Sequence, residues 1–155
     1  MKINGVVLKK MRFDLGQSLF EVVIAVGIIG LIITAVVILA TSSIRNTTYS
    51  RNKSLATRYS QEAVEWLRGQ RDTNWLNFHN YAITSAVYCF DALNWTKARA
   101  CNAGEVISDT ILQRQATFSN ITGTSITTTV AVFWSDSQGL HQVSTSTVFT
   151  DWRAK

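Results

Sequence analysis

The pattern of apolar and polar positions divides the chain into a polar head, one continuous apolar run and a long mixed region. Residues 22–40 are apolar except for Thr34. Their number, about 19, is close to the roughly 20 residues that a helix needs to cross a bilayer core of ~30 Å. The pattern therefore predicts a membrane-spanning helix near the N-terminus. Glu21 stands at the head of this run, and a carboxylate so placed is rare enough to indicate a function.

An amphipathic helical pattern follows the apolar run. Its apolar positions recur at spacings of three and four, which place them on one helix face; they are Leu55, Tyr59, Ala63, Trp66 and Leu67. Charged residues at helical spacing occupy another face, and the expected ion pairs are Arg58 with Glu62 and Glu65 with Arg68. We expect that face to be solvated. The sequence thus predicts one helix from about Gln17 to Arg68, with Gly69 as its stop.

Short β-type segments come after residues 72–81, a polar-aromatic stretch that reads as a loop. The segments are rich in Thr, Val, Phe and Trp and are separated by turn-forming residues; they are 84–90, 111–121, 125–134 and 142–152. The last two are predicted to form a hairpin around residues 136–139, in which Ser135 pairs with Leu140. The same register gives the pairs Val132–Val143, Val130–Thr145 and Ile126–Phe149.

The helix stripe and one face of the sheet both need a cover, so we expect each to cover the other. The predicted fold class is α+β, with a long N-terminal helix packed against a C-terminal antiparallel sheet. The chain of 155 residues leaves room for one modest domain, and 46% hydrophobic with 16% charged residues argues against a disordered chain.

The charge of the chain adds little to the prediction of its function or its membrane orientation. The net charge of +5 is spread along the chain without a long basic block, so nucleic-acid binding is not indicated. Basic residues lie on both sides of the apolar run, so the positive-inside rule assigns no orientation; they are Lys9, Lys10 and Arg12 before it and Arg45, Arg51, Lys53 and Arg58 after it.

The two cysteines, Cys89 and Cys101, are spaced to close a small loop. A disulfide between them would place this part of the chain in an oxidising compartment, outside the cytoplasm. The alternative is a pair of unrelated buried thiols. Two cysteines without clustered histidines fall short of a four-ligand zinc site, so no metal is expected here.

No catalytic constellation is evident, and we expect neither an enzyme nor a bound cofactor. His79 and His141 lie far apart, and no Ser-His-Asp order, phosphate loop or zinc motif occurs. Four aspartates could supply oxygen ligands to calcium, but their spacing forms no compact loop; they are Asp91, Asp109, Asp136 and Asp151. Four tryptophans are expected as core or subunit-contact anchors rather than a binding platform; they are Trp75, Trp95, Trp134 and Trp152.

The segment Gly16-Gln17-Ser18-Leu19-Phe20-Glu21, followed by the apolar helix, resembles the N-terminal processing motif of type IV prepilins and of type II secretion pseudopilins. In that family a membrane peptidase cuts after the glycine and methylates the new N-terminus, and a glutamate occupies the fifth mature position. The resemblance implies cleavage between Gly16 and Gln17, N-methylation of Gln17 and an assembly role for Glu21. Gln17 departs from the usual Phe, and Ile38 stands where major pilins often have a helix-bending proline.

Later segments resemble minor pilins of the pilus-modification type and the related minor pseudopilins. They are residues 60–68 with Arg71, Asp72 and Trp75, together with 134–136 and 150–153. The resemblance implies a cleaved leader (1–16), a transmembrane half-helix (17–40), an amphipathic half-helix (41–72) and an extracytoplasmic sheet domain with a disulfide loop (73–155). The implied location is the cytoplasmic membrane, single-pass, and then a cell-surface or periplasmic fibre. The implied partners are other pilin subunits, prepilin peptidase, the inner-membrane assembly platform and, before assembly, lipid.

Two other interpretations fit the same pattern. One is a single-span membrane protein with an extracytoplasmic binding domain that never polymerises and keeps its leader. The other is a secreted β-rich domain, released by signal peptidase at the small residues Ala40-Thr41-Ser42, although the apolar run exceeds the usual 7–15 residues of a signal peptide core.

Overall fold

The structure is a computed structural model that describes residues 19–153. Two helices come first and a four-stranded sheet follows, which confirms the predicted α+β class. In chain order the elements are α1 (Leu19–Thr73), α2 (Trp75–Thr84), β1 (Val87–Cys89), β2 (Gln113–Ser119), β3 (Ser125–Asp136) and β4 (Gly139–Thr150). The chain divides into two compact units, and the boundary between them falls between Arg45 and Asn46 within α1.

Helix α1 continues past Gly69, so the predicted stop there is wrong. Thr73 donates its hydroxyl to the Gly69 carbonyl at 2.8 Å, and the Asn74 N–H donates to the Gln70 carbonyl at 3.1 Å. A glycine inside a helix costs about 1 kcal/mol relative to alanine, which packing elsewhere along a helix readily offsets. The helix therefore ends at Thr73 after 55 residues.

The stretch predicted as a loop at residues 72–81 is largely helical, so that prediction is wrong. It holds the end of α1 and most of α2, whose N-cap is Asn74. The Asn74 side chain accepts a hydrogen bond from the Asn77 N–H at 2.9 Å. Phe78 and Ala82, four residues apart, are the buried positions of α2. The aromatic composition of this stretch favoured a loop. The sequence nevertheless contains both helix signals, a capping Asn74 and apolar residues spaced four apart.

The sheet is antiparallel throughout, in the order β1-β2-β3-β4. The predicted hairpin register is confirmed, because Ser135 faces Leu140 and Ile126 faces Phe149 across β3 and β4. Strand limits differ from the predictions: β1 is confined to Val87–Cys89, and β4 begins at Gly139.

The second half of α1 lies on the sheet and forms the core with it. One cluster joins Ala63, Val64 and Leu67 to side chains of α2 and all four strands. A second cluster joins Ala56 to Leu112, Val132 and Trp134. Of the five residues predicted to form the helix stripe, Ala63 and Leu67 are fully buried, while Leu55, Tyr59 and Trp66 are partly buried at its flanks.

Small side chains of α1 occupy buried positions against the sheet. Ala56, Ser60 and Ala63 are each 0% exposed. The Ser60 hydroxyl donates to Thr145 Oγ1 at 2.8 Å, which satisfies its polar group inside the core. These short side chains leave room for the β-branched and aromatic residues of the strands.

The solvated charged face of α1 is confirmed only in part. Glu65 and Arg68 form the predicted ion pair, with 2.6 Å between the closest nitrogen and oxygen. Glu62 does not pair with Arg58 as predicted. It pairs instead with Arg114 of β2 at 3.2 Å. The sequence pointed to the nearest basic neighbour on the helix, whereas packing brings a buried guanidinium from the sheet.

Candidate functional site

The first part of α1 carries Glu21 in its opening turn, with its side chain exposed. A carboxylate in the first turn interacts favourably with the partial positive charge of a helix N-terminus. The other residues of the predicted processing site, Gly16 and Gln17, lie outside the described residues, as does the predicted leader of residues 1–16.

The apolar segment of α1 between Glu21 and Thr41 is exposed along its length in the part of the chain that the structure describes. Its large apolar side chains are all exposed, from 45% at Ile24 to 73% at Leu31. Among the described residues, α1 is the one helix whose length and composition would allow it to cross a membrane, and its apolar window is 0% buried. A buried core helix of a soluble protein would have most of this surface covered.

The hydroxyl groups in this segment find their partners within the helix. Thr34 donates to the Gly30 carbonyl at 2.9 Å, and Thr41 donates to the Val37 carbonyl at 2.8 Å. Because these bonds remove the cost of placing a hydroxyl in an apolar surrounding, the segment is compatible with lipid or with a tight helix bundle. The carboxylate of Glu21, by contrast, is exposed.

The glycines of the segment, Gly27 and Gly30, have open space beside them. A Cβ built at either position would meet nothing within 4 Å. Packing among the described residues therefore gives no reason for a glycine at either place. Small residues at such positions let another helix approach closely.

The sheet unit contains the predicted disulfide between Cys89 and Cys101, with 4.7 Å between the two Cα atoms. It closes a loop that is further held by ion pairs. Glu105 contacts Arg99 at 2.7 Å and Lys97 at 3.0 Å, and Lys97 also pairs with Asp91. Hydrogen bonds from Arg99, from the Asn102 N–H and from Lys97 hold the pKa of the Glu105 carboxyl far below its usual range.

The two histidines lie in separate places with different partners. His79 Nε2 is 3.1 Å from the Thr122 carbonyl. His141 Nε2 is 2.9 Å from Asp136 Oδ1, and this hydrogen bond lowers the pKa of the Asp136 carboxyl. Within residues 19–153, no three side chains of His, Cys, Asp or Glu cluster as metal ligands would.

The four tryptophans have unequal environments. Trp134 is buried at 2% exposure, and Trp75 and Trp95 pack against the core. Trp152 is 63% exposed, and its indole N–H donates to Asp72 at 3.2 Å. Three of the four are thus core anchors as expected, while Trp152 lies on the surface.

A buried arginine of the sheet unit was missed by sequence reasoning. Arg114 is 2% exposed and donates to the carbonyls of Phe90 at 2.9 Å and Tyr59 at 3.1 Å, besides its pair with Glu62. Burial lowers the pKa of its guanidinium, and Glu62 partly offsets this effect. The sequence feature that could have revealed this arginine is its place at an inward-facing position of a predicted strand. Because its contacts join α1 to the loop after β1, its role is structural.

No family model matches this chain, and no curated protein or solved structure matches it either.

Proposed function

We propose that this chain is a structural subunit, a minor pilin or pseudopilin, of a type IV pilus or a type II secretion pseudopilus. In this proposal prepilin peptidase cleaves it after Gly16 and methylates the new N-terminus at Gln17. One observation carries the proposal. Among the described residues, the apolar segment of α1 is exposed along its length and bears one carboxylate at its head, Glu21.

An uncovered apolar helix needs an apolar surrounding both before and after assembly. In the membrane, lipid provides it, because the segment matches the bilayer core in length. In a fibre, the same segments of neighbouring subunits provide it by bundling. The inner-membrane assembly platform would move the subunit from the first surrounding to the second. The proposed fibre thus has a core of apolar helices, with the sheet units outside it.

Glu21 would set the register of this bundle. Cleavage after Gly16 creates an ammonium at Gln17, and Glu21 of one subunit would pair with the Gln17 ammonium of another. A paired carboxylate in an apolar bundle costs much less than an unpaired one, for which the penalty is several kcal/mol. A wrong stagger would leave both charges unmatched. Methylation keeps the positive charge and makes the amine less polar.

Gly27 and Gly30 would serve the same bundle. Both have open space beside them, so neighbouring helices could approach closely there. Glycine also lowers helix propensity by about 1 kcal/mol, which would ease local melting of α1 as the segment leaves lipid. The disulfide between Cys89 and Cys101 supports an oxidising compartment for the sheet unit.

The intact mass and the N-terminal sequence of the protein from its own cell envelope test the processing step. A chain that starts at Gln17 and is one methyl group heavier is the expected result. A chain that starts at Met1 would favour the single-span membrane protein that does not polymerise. A start near Ser43 would favour a secreted domain. Substitution of Gly16 by Val should block cleavage, whereas Gly27→Ala, within the apolar segment, should leave cleavage unchanged.

Substitution of Glu21 tests the register argument separately from cleavage. We expect Glu21→Ala to be cleaved normally but to enter fibres at least roughly tenfold less well, because the Gln17 ammonium then lacks its counterion in the bundle. The ratio of fibre-borne to membrane-borne protein measures this. Glu65→Ala, which removes an exposed carboxylate of the same helix, is the matched control. Normal incorporation of Glu21→Ala into fibres would contradict the proposed pairing of Glu21 with the Gln17 ammonium.

A further inference from the structure

Basic side chains follow the apolar segment of α1 with no acidic residue among them. They are Arg45, Arg51, Lys53 and Arg58, and all four are exposed. Residues 22–61 contain no Asp or Glu, so the first carboxylate after Glu21 is that of Glu62. This stretch of α1 therefore carries a positive charge that no residue within it offsets.

These four cations also lack a counter-charge elsewhere in the described chain. Within residues 19–153 none of them forms an ion pair, and Lys53 only approaches the Tyr49 ring, 5.9 Å from its centroid. The other basic side chains of these residues all have partners: Arg68, Arg71, Lys97, Arg99 and Arg114 pair with carboxylates, and Arg153 donates to the Asp72 carbonyl. Folding thus satisfies the later cations and leaves the first four, which come directly after the apolar segment, without a partner.

One carboxylate lies near Arg51 without pairing with it. Asp109 lines the same groove as Arg51, between α1 and the loop that precedes β2. Because this carboxylate would oppose an anion beside Arg51, we expect Arg51 to attract an external anion less strongly than Arg45 does.

Distance along α1, which is continuous from Leu19 to Thr73, decides which cations can reach a bilayer surface. With residues 22–40 in the hydrocarbon core, the headgroup layer adds roughly 5–8 Å on each side. At ~1.5 Å per residue, Arg45 comes about 7 Å after Ala40 and therefore falls within this layer. Arg51 and Lys53 come about 16 and 20 Å after Ala40, and Arg58 about 27 Å.

Ionic screening grades the attraction of these cations to the surface. The Debye length is about 8 Å at physiological salt. Arg51 and Lys53 lie roughly one to one and a half such lengths beyond the headgroup layer, so their attraction is weakened but not removed. Arg58 lies more than about two lengths beyond it and is out of range.

Anionic phospholipids are the headgroups that these cations would select. A zwitterionic headgroup carries its own ammonium, whereas an anionic surface attracts each Lys or Arg that lies close to it. Arginine can also donate two parallel hydrogen bonds to phosphate oxygens. Arg45, at the depth of the phosphates, has the side chain for this contact.

We propose that Arg45, Arg51 and Lys53 bind anionic phospholipid headgroups at the surface of the bilayer that holds the apolar segment. Arg45 contacts the phosphate, and Arg51 and Lys53 add an attraction that salt screens. The bound headgroups fix the depth of the apolar segment in the bilayer.

This binding rests on the membrane insertion that the proposed function includes, and not on assembly into a fibre. An acidic surface of a neighbouring subunit is another occupant whose charge would fit. Lipid is favoured because insertion by itself brings Arg45 to the headgroups, whereas a neighbouring subunit requires assembly first.

Spin-labelled lipids measure this selectivity on the full chain in phosphatidylcholine vesicles. The fraction of labelled lipid whose motion the protein restricts gives the association constant of labelled phosphatidylglycerol relative to labelled phosphatidylcholine. At low salt we expect phosphatidylglycerol to associate at least about threefold more tightly. This preference should fall as NaCl is raised to about 0.5 M, because the Debye length shortens.

Substitutions assign the preference to particular cations. Arg45→Gln should lower it at least about twofold, and joint substitution of Arg45, Arg51 and Lys53 by Gln should lower it further. Arg45→Lys keeps the charge and should retain most of the preference. Arg58→Gln removes the same charge farther from the bilayer and should leave the preference unchanged. The basic residues before the apolar run are the same in every variant, so they do not produce these differences.

Equal association of the two lipids overturns the proposal, and so does a joint variant that selects phosphatidylglycerol as strongly as Arg58→Gln does. A joint variant with unchanged lipid selectivity but poor entry into fibres would assign the cations to an acidic subunit surface instead. The N-terminal mass of the protein from its cell envelope reads the proposed function separately. A start at Met1 would overturn the fibre subunit and leave the lipid result standing, whereas a start near Ser43 would overturn both.

Discussion

At the scale of single residues, whether an ion pair could be predicted depended on how far apart in the sequence its two partners lie. Glu65 and Arg68 are three residues apart on one helix, so spacing alone identified their pair. Glu62 pairs with Arg114, which is 52 residues away. That pair exists because the helix packs on β2, and spacing within the helix could not reveal it.

Glu105 gives the molecule a pH-dependent contribution to stability. Arg99, the Asn102 N–H and Lys97 lower the pKa of its carboxyl in the folded state, whereas the unfolded chain has the ordinary value near 4.5. The stabilisation is therefore fully present above about pH 4.5 and is lost as the pH falls towards the lowered folded pKa. We expect Glu105→Gln to lower Tm at pH 7, and the difference from wild type to shrink steadily below pH 4.5.

Thermal unfolding of the full chain in detergent micelles between pH 7 and pH 3 measures this effect. Glu65→Gln is the control, because it removes an exposed pair of the kind that contributes little. A gap in Tm between wild type and Glu105→Gln that stays constant down to pH 3 would contradict the linkage.

At the scale of elements, α2 shows that a local signal can be hidden by composition. Aromatic and amide residues favoured a loop at residues 72–81, yet Asn74 caps a helix there and Phe78 and Ala82 bury one face of it. The hairpin of β3 and β4 was predicted correctly, because one buried face fixes the register: a slip by one residue would turn every apolar side chain to solvent.

The cap of α2 can be tested directly. Asn74→Ala removes the acceptor for the Asn77 N–H and should lower the free energy of unfolding by about 1 kcal/mol. Asn77→Ala keeps that N–H and places a good helix former inside the helix, so it should cost much less. Urea unfolding of the full chain in micelles compares the two. Equal losses would mean that the Asn74 side chain does not act as a cap.

At the scale of the whole molecule, two apolar surfaces of α1 differ in their burial. The stripe of α1 from Ala56 to Leu67 is covered by the sheet. The apolar segment between Glu21 and Thr41 stays exposed among the described residues. Folding of a single copy therefore completes one interface and leaves the other for lipid or for further helices, which is the physical basis of the proposed function.

The packing of α1 on the sheet depends on small side chains, and a substitution at Ser60 tests this. Ser60→Leu would place a large side chain where α1 meets Val130 and Thr145, and would remove the bond to Thr145. We expect a loss of about 1–3 kcal/mol in the free energy of unfolding, or failure to fold. Ser54→Leu on the exposed face of the same helix should have little effect. Urea unfolding measures both, and equal stability of the two variants would refute close packing at Ser60.

The sequence by itself determined the features that depend on periodicity and on near neighbours. These are the apolar run headed by Glu21, the helix stripe, the α+β class and the hairpin register. Each follows from the repeat of a helix or strand. The spacing of Cys89 and Cys101 allowed a disulfide, but the structure decided between that bridge and two separate thiols. Only the tertiary structure decided where α1 ends and that Glu62 meets Arg114. Those outcomes depend on groups far apart in the chain, which only packing brings together.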